Sequence, residues 1–372
     1  MKNILFYLAI LFVVLNADAQ KERLRLMGQV TINELEMASY ALDTTANALV
    51  MDESGFQYPD EQYLFSPTTE RYRRIKLFNK ESFDLADIEI RLYKKEVLKS
   101  IEAITYNLVD GNIQKTILSK DQIFTQNTTE NIRTVSFSFP NVKEGSVIEY
   151  KYSVMSPYSS IDDWYFQSDV PKLKSKITTL ILENYKYRQR LNGFLPVNKE
   201  EDFLDEKCVV NSRGFYRGCY VLSLSMDSIP AFEEEDYMTT RDNFISKLSF
   251  DLKSVQTADG VKNYTTNWKN AEKTLRNTFL NRQSSKRGYF KKNIPTDILE
   301  DNDELNRAKR TYDFIQRYFN WNGNYWISSK VNVKQSFKEK TGSVDAINLS
   351  LYNSLKAADI ESYIVLVSTR DN

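Results

Sequence analysis

Ser343 stands between Gly342 and Val344 at the head of VDAINLSLYNSLKAAD, where apolar residues recur at three- and four-residue spacing. A hydroxyl at a helix N-terminus has backbone N–H groups beside it that stabilise an oxyanion, so Ser343 is the first residue to test as a nucleophile. It would need a base. Histidine, the usual base near neutral pH, is absent from the 372 residues. Neither a Ser-His nor a Cys-His pair can be assembled within this sequence. Lys338 and Lys340 are the nearest substitutes, and nothing in the sequence aims them at Ser343. The ordinary task of a serine in this place is to cap the helix.

Other groupings offer less. Cys208 and Cys219 flank VVNSRGFYRG, which reads as a hairpin turning at Gly214. A disulfide stapling its strands is the reading adopted, and would contribute about 2–3 kcal/mol. Two free thiols are the alternative, and without histidine the pair makes a poor zinc site. Glu233-Glu234-Glu235-Asp236 has the charge for calcium, but such runs are ordinarily solvated. Asp162-Asp163-Trp164 could touch a sugar, or could be a turn leading a packed tryptophan into a strand. No metal and no cofactor is implied by any of these.

Lys plus Arg and Asp plus Glu both number 50, so no net field draws nucleic acid or anionic lipid. Arg71-Tyr72-Arg73-Arg74 and Lys172-Leu173-Lys174 are short and read as solvated strand ends. Residues 1–19 read as a secretory signal peptide: Lys2, an apolar run from Ile4 to Leu15, and Ala17-Asp18-Ala19 before a cut at Gln20. No later stretch approaches a membrane span. The expectation is an exported protein, periplasmic or extracellular and not membrane-spanning.

Periodicity places the elements. Residues 20–255 are strand-rich, with period-2 alternation in Arg74–Phe78, Asp87–Tyr93, Ile132–Phe139 and Val147–Val154. Turn signals at Asp110-Gly111-Asn112, Pro140-Asn141 and Lys143-Glu144-Gly145 separate them, and the pattern predicts an antiparallel β-sandwich. Thr31 to Glu34 fits a capping box for a short helix. Residues 256–372 change period. A first helix is expected over Tyr264–Leu280, with Trp268, Ala271, Leu275 and Phe279 facing inward, then a polar loop over Asn281–Thr296. A second helix begins near Asp303 and buries Leu305, Ala308, Tyr312, Ile315 and Phe319. The third buries Val344, Ile347, Leu351, Leu355 and Ala358, and leads into a strand buried on both sides over Ser362–Thr369.

This third helix and its exit resemble the nucleophile helix of the transglutaminase-like superfamily. Gly342 matches the glycine that precedes the cysteine, and Leu351, Leu355, Ala357 and Ile360 fall in register. Asp359 replaces a second glycine. By that register the cysteine position is Val344, with Ser343 about 100° away round the helix. Asn348 replaces a small apolar residue, and would bond a buried backbone group or line a remnant cleft. Asn33 to Met37, Asn141 to Tyr150, Asp163 to Gln167, Ile229 to Phe232 and Tyr237 to Thr239 are similar to a domain-of-unknown-function family. That family precedes transglutaminase-like domains in exported Bacteroidota proteins.

The resemblance implies a mainly β domain joined to an α+β part, the helical first half of a transglutaminase-like, papain-like core. It implies that histidine and acid would come from strands beyond Asn372, so that the chain is expected to be part of a longer product or to have its last segment covered. Gly342, Ser343, Val344 and Asn348 form a degenerate nucleophile region with no catalytic residue. The function expected is non-catalytic binding or scaffolding of an envelope protein or glycan. The alternatives are an enzyme completed by further strands or a partner, and an envelope glycan-binding accessory module.

Overall fold

The computed structural model of the chain describes residues 26–60, 66–129, 131–210, 214–264, 267–280, 282–325, 327 and 330–367. The signal-peptide reading of residues 1–19 lies outside them. The protein is mostly β, with one large sheet and C-terminal helices. It divides into two compact units between Leu252 and Lys253.

In the first unit, α1 (Ile32–Glu36) opens on the expected capping box, Thr31 with Glu34. The strands are β1 (Ala48–Asp60), β2 (Ser66–Leu77), β3 (Asp87–Tyr93), β4 (Val97–Val109), β5 (Asn112–Ile117), β6 (Phe124–Asn127), β7 (Ile132–Ser138) and β8 (Val147–Met155). They continue with β9 (Trp164–Tyr165), β10 (Lys172–Leu182), β11 (Tyr185–Asn192), β12 (Lys199–Val210), β13 (Tyr216–Ile229) and β14 (Lys247–Thr257), which runs across the division. The eight-stranded sheet has the order β12-β13-β10-β1-β2-β8-β4-β5. The expected antiparallel pairing is broken once: β1 and β10 run parallel. Hairpin partner β2 takes one edge of β1, and the chain returns to the other edge only after β9, in the same direction.

Two cores form on this sheet. Phe137 of β7 and the adjoining Phe139 pack on Val50, Ile75, Ala103 and Ile148. Trp164, Phe166, Leu248 and Phe250 pack on Ile177, Leu222, Leu224 and Met226. On the opposite face Val30 and Leu35, from the segment around α1, cover Tyr106 and Val147.

Lys174 is exposed, but the other cations of the basic clusters are not the solvated strand ends expected. Arg74 and Lys172 are 0% and 1% exposed, and Arg71 and Arg73 are half-buried. They lie on strands inside the large sheet, where Arg73, Arg74 and Lys172 are paired with carboxylates. Arg74 donates to Glu149 and Glu34, and Glu149 also accepts from Tyr72, Tyr106 and the Gly28 N–H. Lys172 and Arg73 meet Glu53.

Lys76 meets no carboxylate among the described residues. It donates to the carbonyls of Leu35 and Gly145, and burial pushes its amine down to about 8. An unfolded lysine keeps its proton to about pH 10.4, so the unfolded state binds more protons between these values. Lys76 therefore adds stability as pH rises from 8 towards 10. The urea midpoint of the wild type should gain on that of Lys76→Met across this window, and parallel curves would refute the assignment.

Cys208 and Cys219 are bonded, their Cα atoms 5.5 Å apart across β12 and β13. The bond sits at the last β10 pairing, Leu182 with Cys219, and staples the hairpin where β13 leaves β10. Replacing both cysteines by serine should cost about 2–3 kcal/mol. Proteolysis between residues 205 and 220, with and without reductant, checks it.

In the second unit, β15 (Gly260–Asn263) forms a hairpin with β14. Then come α2 (Trp268–Leu275), extended by a π turn to Leu280, α3 (Arg287–Lys291), α4 (Thr296–Leu299) and α5 (Glu304–Tyr318). After these lie β16 (Asn320–Trp321), α6 (Val333–Glu339), β17 (Thr341–Gly342) and α7 (Val344–Ala357).

Several expectations fail here. The α2 stripe is not buried, and Trp268 is 92% exposed. The expected polar loop, Asn281–Thr296, holds α3 and ends where α4 begins, and its Phe290 is at the centre of the core. On α5, Thr311, Ile315 and the adjoining Phe319 turn inward while Leu305 and Tyr312 are exposed, because the helix packs on α7 and α4 through the neighbouring face. The rings of Phe290, Tyr318 and Phe319 gather round Phe337 of α6, a helix that the sequence pattern did not predict. Residues 361–367 form no strand, and Val365 and Val367 are exposed; the remainder of the expected strand, 368–369, lies outside the described residues. An apolar run becomes a strand only where another strand supplies its hydrogen bonds.

Candidate functional site

The residues expected to form a degenerate nucleophile region, Gly342, Ser343, Val344 and Asn348, lie where β17 meets α7. β17 lies parallel to β16, pairing Asn320 with Thr341 and Trp321 with Gly342. Gly342 is buried, and a Cβ there would come within 3.1 Å of the Ala346 Cβ and 3.4 Å of the Ser336 Cβ. Glycine thus lets the first turn of α7 close against the strand.

Ser343 is the N-cap residue, with extended φ −72° and ψ 167°, but its side chain makes no cap bond. Its hydroxyl donates instead to Asp345, whose carboxylate also accepts the Ala346 N–H at 2.8 Å. The capping expectation is met in position and corrected in chemistry: the acid of the first turn does the capping, favoured there by the helix dipole. A carboxylate is far too weak a base to ionise an alcohol, so the Ser343–Asp345 contact does not make an alkoxide.

Val344 presents a half-buried isopropyl group. Its N–H donates to the Asn324 carbonyl at 3.0 Å, and the Trp321 indole N–H reaches the same oxygen at 3.2 Å. Two donors converging on one oxygen at a helix start is the geometry that holds an oxyanion in acyl transfer. Here that position is filled by the chain's own carbonyl. Tyr325 stands edge-on to Trp321, with ring centroids 4.5 Å apart, and both rings are exposed.

Asn348 is exposed, and its amide donates back to the Val344 carbonyl at 2.9 Å. The bond is to backbone, as expected, but within the same helix and in solvent rather than to a buried group. Lys338 is exposed, and Lys340 lies over the Tyr318 ring at 5.3 Å, so neither is seen to approach Ser343 as a base. Asp359 has φ +58°, the left-handed region that favours glycine, and pairs with Arg287.

Of the expected inward stripe, Ala358 is buried, but Val344, Ile347, Leu351 and Leu355 are only half-buried. The buried face is Asp345, Ala346, Leu349, Ser350, Asn353, Ser354 and Ala357. Small and hydroxylated residues allow α3 to come close, and Asn353 ties the loop before α3 by accepting from the Lys286 N–H and donating to the Gln283 carbonyl.

Sequence reasoning missed Asp345, Trp321, Asn324 and Asn353. Only Asp345 carried a local signal, an acid two residues after the cap. Asn324 and Asn353 meet partners 20 or more residues away, in Val344, Gln283 and Lys286, and Trp321 acts through Asn324. Of the remaining groupings, Glu233 to Asp236 are exposed, and Trp164 is packed with its indole N–H on Ser175 at 3.1 Å. Among the described residues no three metal-binding side chains converge, and no helix is long and apolar enough to cross a membrane.

Comparison with known proteins adds a fold. No curated protein matches the sequence. A crystal structure from Parabacteroides distasonis, described as that of a "putative protease", is similar with a TM-score of 0.59 at 16% identity. The likeness covers 84% of this chain and 59% of that one, so this chain spans little more than half of its length. At that identity it is the fold that is shared. Residues 66–208 match the family model of a domain of unknown function, DUF3857.

Proposed function

We propose that the chain is a non-catalytic exported binding or scaffold protein of the cell envelope, whose C-terminal unit is a degenerate transglutaminase-like core. One observation carries the reading: at the start of α7, where a nucleophile would stand, there is the hydrocarbon of Val344 with its N–H and the Trp321 indole both committed to Asn324. A branched alkyl group can neither ionise nor attack a carbonyl, so its presence removes the covalent step itself. Strands beyond Asn372 could add a base but could not replace this side chain. Export to the periplasm or exterior is proposed from residues 1–19, and the disulfide is compatible with it. The partner proposed is a protein or glycan of the envelope.

The neighbour's description favours a second reading, a cysteine-peptidase-like enzyme completed by segments beyond this chain. The two part at one substitution. Wild-type protein should hydrolyse no casein or peptide amide and take up no serine-directed fluorophosphonate. Val344→Cys should gain one thiol alkylated by iodoacetamide, still without turnover. Hydrolysis or probe uptake by the wild type, abolished in Ser343→Ala, would overturn the proposal.

A further inference from the structure

Under Trp164, against the large sheet, Gln57, Thr69, Arg71, Asp162 and Thr179 border a small cavity with room for a single water-sized group. Thr179 is 1% exposed, and its hydroxyl has no hydrogen-bond partner among the described residues. Gln57 is 6% exposed, and it borders the same cavity. Arg71 is half-buried; the Trp164 ring lies 5.2 Å from its guanidinium carbon, and among the described residues no carboxylate comes within ion-pair distance.

The charges nearby do not balance. Arg71, Arg73 and Lys172 face two carboxylates, Glu53 and Asp162. Glu53 is taken up by Arg73 at 3.1 Å, by Lys172 and by the Ser175 hydroxyl, while Asp162 is exposed at the rim. A cation withdrawn from water without a bonded counter-charge is costly. Water would satisfy the donors but not the charge. Burial, opposed by Glu53 and assisted by Arg73 and Arg71, pushes the Lys172 amine down, whereas Tyr152, Asp162 and Glu53 outweigh burial and hold the Arg71 guanidinium above its ordinary value.

We propose that this cavity binds one small monovalent anion of chloride size, held by the Arg71 guanidinium, the Thr179 hydroxyl and the Gln57 amide. The test uses the full chain. Crystals soaked in sodium bromide should show one anomalous peak within hydrogen-bond distance of Arg71 and Thr179. In solution, melting in sodium chloride should exceed that in sodium gluconate of equal ionic strength by about 2 °C, gluconate being too large to enter. The difference should be lost in Thr179→Val, which keeps the side-chain shape, and in Arg71→Met. Water density without anomalous signal would overturn the proposal. So would a peak confined to molar soaks with no chloride dependence in solution, or a dependence that survives both substitutions.

Discussion

Glu149→Ala is expected to destabilise the protein by about 3–5 kcal/mol, the range for breaking a buried ion pair from one side. Glu149 and Arg74 are both 0% exposed, and one carboxylate takes donors from four residues: the guanidinium, the hydroxyls of Tyr72 and Tyr106, and the Gly28 N–H. Alanine would leave all of them without that acceptor in a site water cannot reach. Glu34, the other acid on Arg74, is partly solvated and bonds a different guanidinium nitrogen, so it does not replace the lost partner. The segment from Gly28 to Leu35 is tied down through this cluster, and should lose amide protection first. Arg74→Met should cost a similar amount, while Arg74→Met with Glu149→Met should cost less than the sum of the single changes.

Acid probes the same group. Burial alone would raise the Glu149 carboxyl, but Tyr106, Tyr72, the Gly28 N–H and Arg74 outweigh it and hold the group below the ordinary glutamate value. A carboxyl depressed by folding adds stability that is present above its unfolded pKa, about 4.3, and is lost as pH falls through the folded value. Urea midpoints measured downward from pH 5 should fall more steeply for the wild type than for Glu149→Gln. Equal slopes would show that the cluster does not couple to protons.

The second large effect is expected at Gly55. A Cβ there would lie 2.5 Å from Cζ3 of Trp164 and 2.6 Å from Cδ1 of Ile177. The Ile177 methyl can rotate away, but Trp164 cannot readily follow. Its indole N–H is bonded to Ser175, and Arg71 lies over its ring. Gly55→Ala should therefore cost up to about 3 kcal/mol despite alanine's smaller backbone entropy loss, and Gly55→Val more. Tryptophan fluorescence should report the displaced ring in any Gly55→Ala protein that remains folded. An unchanged spectrum with a stability loss under about 0.5 kcal/mol would mean that the ring has room after all.

Much of the first unit was legible because its information is local. Alternation along Asp87–Tyr93 shows in which side chains are buried, whereas both faces of Val147–Tyr150 are buried, Glu149 included. Thr31 and Glu34 cap a helix by direct contact, and Cys208 and Cys219 pair across one hairpin. The helical unit was less legible because its helices are short and packed on several sides. Phe290 among lysines, or Ser350 and Ser354 facing inward on α7, gains meaning only from the helix lying opposite.

By itself the sequence determined the chemistry that this chain's side chains lack: no imidazole among its 372 residues, and no thiol besides Cys208 and Cys219. Those are properties of atoms present or absent, and folding cannot alter them. Only the tertiary structure decided that Arg74 and Lys172 lie inside, that Asp345 engages Ser343, and that Asn324 receives the Val344 and Trp321 donors. Burial and hydrogen bonding join residues far apart in the chain, and the alternation of a single strand does not say what its partner strands bring to meet it.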